Sequence, residues 1–183
     1  KDLQVTRHTI GLVRDTKQLT ISLHQTDEPA NIHADDFSYQ ITNANGDINY
    51  DNSLLPDEEL TYTPYYTWTT ELKDTEGNVK ERTAHAALMF SRLIWHPAEE
   101  SDKNAILSIT NKTTGEEVAR IDLAEYLAQC RGAFEALHYS EQEFLDREYD
   151  YKLDFFLQGN QWKYVQLRIS ILDWSKRIQR IDF

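Results

Sequence analysis

Residues 149–171 read YDYKLDFFLQGNQWKYVQLRISI. Tyr149, Tyr151, Leu153, Phe155 and Leu157 recur at every second position, and so do Val165, Leu167, Ile169 and Ile171. A period of two places each set on one face of a strand. Between the runs lie Gly159 and Asn160, residues that accept the left-handed backbone a tight turn requires. The segment therefore reads as an antiparallel hairpin. Keeping apolar residues together pairs Leu157 with Lys163, Phe155 with Val165, Leu153 with Leu167, Tyr151 with Ile169 and Tyr149 with Ile171. That register predicts a three-residue loop, Gly159-Asn160-Gln161. A one-residue slip would set the apolar face against polar neighbours.

The same period appears upstream. Leu19, Ile21 and Leu23 alternate with Thr20, Ser22 and His24, and Phe37, Tyr39 and Ile41 repeat the pattern. Asn45-Gly46 reads as a turn between strands. Residues 62–70 are rich in Tyr, Thr and Trp and read as β, which puts Pro64 on an edge or at a strand start because it has no N–H to donate. Residues 74–78, around Gly77, return the chain. Residues 84–93 read as a strand, although their Ala and Leu content also permits a helix. Residues 105–110 and 118–121 flank the turn at 112–115, a second hairpin. Two short helices interrupt the strands. Leu123, Leu127 and Cys130 have helical spacing behind Asp122 as N-cap, with a stop near Gly132. Ser140 and Glu143 have capping-box spacing. Closely spaced strands with so little helix describe an all-β fold, an antiparallel β-sandwich. No repeat or linker breaks it, so residues 1–183 read as a single domain.

Composition narrows the function classes. The chain holds 31 acids and 19 bases, for a formal net charge of −12. Nucleic-acid binding needs clustered Lys and Arg to displace counterions, and adhesion to anionic lipid needs a basic patch, so both are disfavoured. A hydrophobic content of 40% with 11% aromatic residues is too apolar for disorder. No stretch approaches the roughly 20 apolar residues of a membrane helix, and no apolar run follows a basic start. The first residue is Lys1, which reads as the start of a mature product or a fragment of a longer chain. Charge is segregated. Residues 18–72 contain ten acids and no Lys or Arg, whereas residues 162–183 carry Lys163, Arg168, Lys176, Arg177 and Arg180 against two acids. Such a dipole can orient a domain against a partner.

The residues offer little catalytic chemistry. The lone Cys130 lies on the apolar face of a helix and reads as a buried structural thiol. The six glycines are too scattered to cradle phosphate. His33, Asp35 and Asp36 are potential metal ligands, and so are the polar residues from Asn43 to Asp51. The second set lacks the spacing and closing Glu of an EF-hand and reads as a polar turn. His8, His24, His33, His85, His96 and His138 show no zinc-type pairing. No catalytic, cofactor-binding or metal residue is assigned, and no cofactor is expected. Tyr62, Tyr65, Tyr66 and Trp68 could hold a sugar. At strand spacing Tyr62, Tyr66 and Trp68 share a face, and core packing accounts for them equally well. The acceptor pattern Asn111-Lys112-Thr113 carries no weight.

Four segments resemble a known family, the FimB-type fimbrial anchor and minor subunit proteins (fimbrillin-A-associated anchor proteins) of Bacteroides-like bacteria. They are Asn45 to Asn52 (NGDINYDN), Ser91-Arg92-Leu93, Phe144 to Tyr149 (FLDREY) and Ile169 to Trp174 (ISILDW). The resemblance corresponds to the second, C-terminal domain of a longer two-domain precursor. Asp173 departs from the Gly that members often carry before the late Trp. The resemblance implies a transthyretin-like β-sandwich without catalysis or cofactor, at the cell surface in a fimbrium. It also implies a precursor anchored by lipid in the outer membrane of a Gram-negative bacterium. The implied partners are other fimbrial subunits, joined by strand addition, and a surface ligand on a host or another bacterium. The alternative is a carbohydrate-binding module on the same sandwich. An enzyme with a carboxylate pair is a further rival. Two more expectations concern the ends: Trp174 is core, and a terminal strand, in residues 3–13 or around Ile178 and Ile181, takes part in assembly.

Overall fold

The computed structural model describes residues 14–132, 138–171 and 174–182, the strand segments 167–171 and 174–182 by their backbone alone. The strands are β1 Thr16–Gln25, β2 Phe37–Asn43, β3 Leu60–Tyr62, β4 Tyr66–Lys73, β5 Val79–Ser91, β6 Ile106–Asn111, β7 Glu117–Asp122, β8 Asp150–Gln158, β9 Gln161–Ile171 and β10 Trp174–Asp182. They form a six-stranded sheet in the order β10-β9-β8-β1-β5-β4 and a four-stranded sheet in the order β3-β2-β6-β7. The fold is thus an all-β sandwich.

Alternation explains the core between the sheets. Leu19, Ile21 and Leu23 of β1, Ala84, Ala86 and Leu88 of β5, and Tyr151, Leu153, Phe155 and Leu157 of β8 are buried. They share one core with Tyr39 and Ile41 of β2 and Leu107 and Ile109 of β6. Of residues 84–93, ambiguous as sequence, 84–91 supply the C-terminal part of the 13-residue strand β5 and 92–93 follow it. Ladder hydrogen bonds on both sides, to β1 and β4, resolve the ambiguity toward strand.

One pair departs from antiparallel pairing: β1 runs parallel to β8, with Leu19 beside Tyr151 and Leu23 beside Phe155. Alternation says which face a residue takes but carries no information on strand direction. A parallel pair needs a long crossover. Here the intervening chain includes α1 Leu123–Gln129 and α2 Glu141–Arg147. Both helices start at the predicted caps. The Asp122 carboxylate accepts from the Glu125 N–H at 2.9 Å and the Ser140 hydroxyl from the Glu143 N–H at 3.2 Å.

The β8–β9 hairpin keeps the predicted partners Tyr151–Ile169, Leu153–Leu167 and Phe155–Val165. Its loop is tighter than expected: Gln158 pairs with Gln161 across Gly159-Asn160, and Gly159 takes φ 59°. A bulge between Phe156 and Leu157 absorbs the lost residue by leaving Lys163 unpaired, so Leu157 faces Trp162 instead of Lys163. The tight turn and the bulge together bring an indole to the core face, where Trp162 meets Phe155 edge-on with ring centroids 6.1 Å apart. A three-residue loop would have left an ammonium there.

The strand expected over residues 62–70 is two strands in different sheets. β3 pairs with β2, β4 pairs with β5, and residues 63–65, including Pro64, carry the chain between layers. The C-terminal alternating segment forms β10 against β9. The side chain of Trp174 and residues 3–13 lie outside the described residues.

Candidate functional site

Three of the four segments that carried the family resemblance, those at Asn45, Arg92 and Asp146, meet in the folded chain. Arg92 follows β5 and is 7% exposed. Its Nε and Nη2 donate to the two carboxylate oxygens of Asp146, each at 2.7 Å, and its Nη1 donates to the Asn52 carbonyl. Asn45 is buried. Its amide donates to the carbonyls of Ser91 (3.2 Å) and Arg92 (2.9 Å), and its oxygen accepts from the Tyr62 hydroxyl at 2.6 Å. Gln142 of α2 donates to the Leu93 carbonyl and to Asp146. The Asn-Gly, Arg-Leu and Leu-Asp-Arg-Glu segments are therefore parts of one buried polar junction. Asn45-Gly46 is not a hairpin turn, and neither residue has positive φ, which falls instead on Asn52 at 64°. Gly46 is needed for close approach: a methyl there would lie 2.4 Å from an Asp57 oxygen and 2.6 Å from a Leu60 methyl carbon.

Lys17 completes the junction and escaped the sequence reading. It is 1% exposed, and its ammonium donates to the carbonyls of Leu145 (2.6 Å), Asp146 (3.1 Å) and Glu148 (2.9 Å) as α2 ends. Those carbonyls have no helical partner and carry the negative end of the helix dipole. The signal was available, because Lys17 has the parity of Leu19, Ile21 and Leu23. Burial lowers its pKa to about 8; the Asp146 charge opposes this, while Arg92 adds to it. The unfolded lysine titrates near 10.4. Between these values the unfolded chain binds more protons than the folded one, so stability rises with pH across that window and the burial penalty is fully present below it. In urea titrations, wild type is expected to gain on Lys17→Met from pH 8 to 10 by up to about 1.4 kcal/mol per pH unit. Parallel pH profiles for the two proteins would contradict this.

The aromatic residues are not one platform. Tyr62 packs against the core from the four-stranded sheet, while Tyr66 and Trp68 lie on the outer face of the other. Trp68 stacks on His85 with centroids 4.8 Å apart, and Tyr66 stacks on Trp68 at 5.2 Å. A second stack joins Tyr164, Phe156 and His24. Ring faces meet one another in these ladders, as cross-strand pairs do in sheets. Trp68 stacks with a partner on either side, whereas Tyr66 ends its ladder and is 59% exposed, next to Tyr65 at 60%, whose hydroxyl accepts from Gln18 at 3.3 Å.

Several of the candidate metal ligands are held by protein partners. His33 meets Arg82 at 3.1 Å, Asn49 accepts from the Tyr50 N–H, and Asp51 accepts from the Ser53 N–H and hydroxyl. Residues 43–51 thus contain the polar turn that was expected. Among the described residues no group of three His, Cys, Asp or Glu side chains could hold a metal ion. Cys130 is buried and its thiol donates to the Tyr126 carbonyl. Burial pushes its pKa up to about 12, so little thiolate forms at neutral pH.

Sheet edges provide the remaining feature. Among the described residues β4 and β10 end the six-stranded sheet and β3 and β7 the four-stranded one. Natural edges are protected by brevity, charge, proline or bulges. β3 has three residues. β4 has eight, and its charges and bulge are confined to its far end, at residues 71–73. Residues 66–70, Tyr-Thr-Trp-Thr-Thr, carry no charge and no proline. Residues 66–70 of β4 therefore present an uncharged edge, approached by the turn at residues 34–36, where the Ala34 N–H donates to the Thr69 hydroxyl at 3.0 Å.

Comparison with known proteins agrees with this architecture. A candidate adhesin from Bacteroides thetaiotaomicron is 29% identical over 91% of this chain, with a TM-score of 0.73. A candidate polysaccharide-binding protein from the same organism is 33% identical over 91%, with a TM-score of 0.64. The fimbrial anchor protein Mfa2 of Porphyromonas gingivalis, at 16% identity over 90% and a TM-score of 0.51, shares the fold. The chain spans about half of each relative, 53%, 52% and 49% of their lengths. No curated protein matches it. No helix among the described residues is long and apolar enough to cross a membrane. The model of the fimbrillin-A associated anchor proteins Mfa1 and Mfa2 matches residues 1–180, and the chain belongs to that family of surface fimbrial, adhesin-type proteins.

Proposed function

We propose that this chain is a non-catalytic part of a fimbrial anchor or minor subunit that joins neighbouring subunits by strand addition along β4. The uncharged, proline-free edge at residues 66–70 carries the reading: alternate main-chain groups point away from β5, and an incoming strand can bond to them. Main-chain bonds give affinity in such a contact, and alternate side chains give specificity. Residues 1–183 are one sandwich domain of a longer subunit, in keeping with the half-length match to the solved relatives. The full-length protein is held at the outer membrane by lipid.

A charged edge should block the contact without harming the fold. Tyr66 is 59% exposed, and Thr70 is also exposed. The variant Tyr66→Lys/Thr70→Lys is expected to lose under about 1 kcal/mol of stability. In fimbriae purified from cells that express it, its incorporation should fall at least about tenfold, which corresponds to about 1.4 kcal/mol of contact energy. Full incorporation of a folded double variant would refute strand addition at β4.

A further inference from the structure

We propose that the turn-bearing end of the sandwich is a binding groove for a neutral oligosaccharide. Three connections meet there: the segment after β1, the β6–β7 turn and the β8–β9 turn. They are tied to one another. Gln25 donates to the Gly159 carbonyl at 3.0 Å, and the Gly159 N–H donates to Asp27 at 2.9 Å. Asn111 donates to the side-chain oxygen of Asn160 at 3.1 Å, and Asn160 donates to Glu116. The Lys112 N–H donates to the Asp36 carbonyl at 2.8 Å. Between the connections lies a cleft of about 480 Å³, and a second of about 570 Å³ meets it at Asn160. Both volumes fall within the range of small-molecule sites.

The lining selects the ligand class. Ile32 and Phe37 give the first cleft a small apolar floor. Gln25, Asn31, Asn111 and Asn160 contribute carboxamides, and Gln158 and Gln161 add two more in the second cleft. Acceptors come from Asp27, Glu28, Asp36, Glu116 and Glu117. No Lys or Arg lines either cleft. Carboxylates without a cation repel anionic ligands. Asn31, Asn111 and Asn160 each spend one amide N–H within the lining, and a basic peptide would satisfy the acceptors but leave the second N–H of each without a partner. Sugar hydroxyls both donate and accept, and the C–H face of a pyranose suits the apolar floor. The ties among the connections hold the groove open before a ligand arrives, which lowers the ordering cost of binding. This assignment is independent of strand addition at β4 and uses different residues.

The test is an array of neutral, sialylated and sulfated oligosaccharides, with hexalysine as the peptide probe, followed by calorimetry and amide chemical-shift mapping on the neutral glycan giving the strongest array signal. Neutral glycans should bind, with shifts centred on Thr113, Thr114 and Asn160. Glu28→Ala and Asn31→Ala are exposed changes that should keep the melting temperature, and each should weaken binding about tenfold. Tyr66→Lys/Thr70→Lys should bind like wild type. The assignment is overturned by silence of the neutral glycans, by a preference for sulfated or sialylated chains, by capture of hexalysine alone, or by shifts centred elsewhere. Loss of fimbrial incorporation with glycan binding retained would separate this site from the strand contact.

Discussion

Phe155→Ala is expected to destabilise the fold by about 3–5 kcal/mol in urea unfolding, the usual cost of emptying a buried phenylalanine site. Its ring is fully buried, beside Leu23 on one flanking strand and Val165 on the other, with the Trp162 indole edge-on. Little can collapse into the space, because these neighbours sit on paired strands. Total stabilities of about 5–15 kcal/mol make such a loss a large fraction of the whole. The adjacent residue is the control. Phe156 points to the outer face, between His24 and Tyr164. Phe156→Ala should cost only about 1 kcal/mol, the scale of one cross-strand pair. Equal losses at the two positions would show that the faces of β8 have been misassigned.

Arg92→Ala is expected to cost about 3–5 kcal/mol, because it removes one partner of a largely buried ion pair and leaves the other uncompensated. The side chains of Arg92 and Asp146 are 9% and 19% exposed. The Asn52 carbonyl would lose its guanidinium donor as well. Arg92→Lys keeps the charge but not the two-pronged geometry, so it should recover only part of the loss. The double variant Arg92→Ala/Asp146→Ala should lose clearly less than the sum of its single changes, since removing both charges leaves none stranded. Additive losses would mean that the pair contributes nothing beyond its parts. The measurement is again urea unfolding, at a pH below the Lys17 titration, so that the neighbouring ammonium stays charged in every variant.

The buried junction explains why the segments at Asn45, Arg92 and Asp146 looked like motifs. Each holds a polar residue whose partners lie on distant parts of the chain, 47 residues away for Asn45 and Arg92 and 54 for Arg92 and Asp146. Sequence reading could identify the segments, but not that one bonds to the next. Asn45-Gly46 shows the difficulty. The dipeptide is a strong local turn signal, yet its Asn is used as a buried bridge and its Gly for lack of a side chain. Tyr62, Tyr66 and Trp68 show it again: their shared even parity suggested one face, and a change of sheet at residues 63–65 put them on two.

Local pattern alone determined most of the strands and their inward faces, both helix caps and three rungs of the β8–β9 ladder, but not the break at residues 63–65 or the strand at residues 84–91. Each depends on neighbours within a few residues or on the two-residue period of a strand. Tertiary structure decided the parallel pairing of β1 with β8, the tight Gly159-Asn160 turn with its compensating bulge, the burial of Lys17, and the groove shared by three separate connections. These features depend on which surfaces meet across the sandwich. Side-chain volume and hydrogen-bond satisfaction in three dimensions select among arrangements that alternation along the chain leaves equivalent.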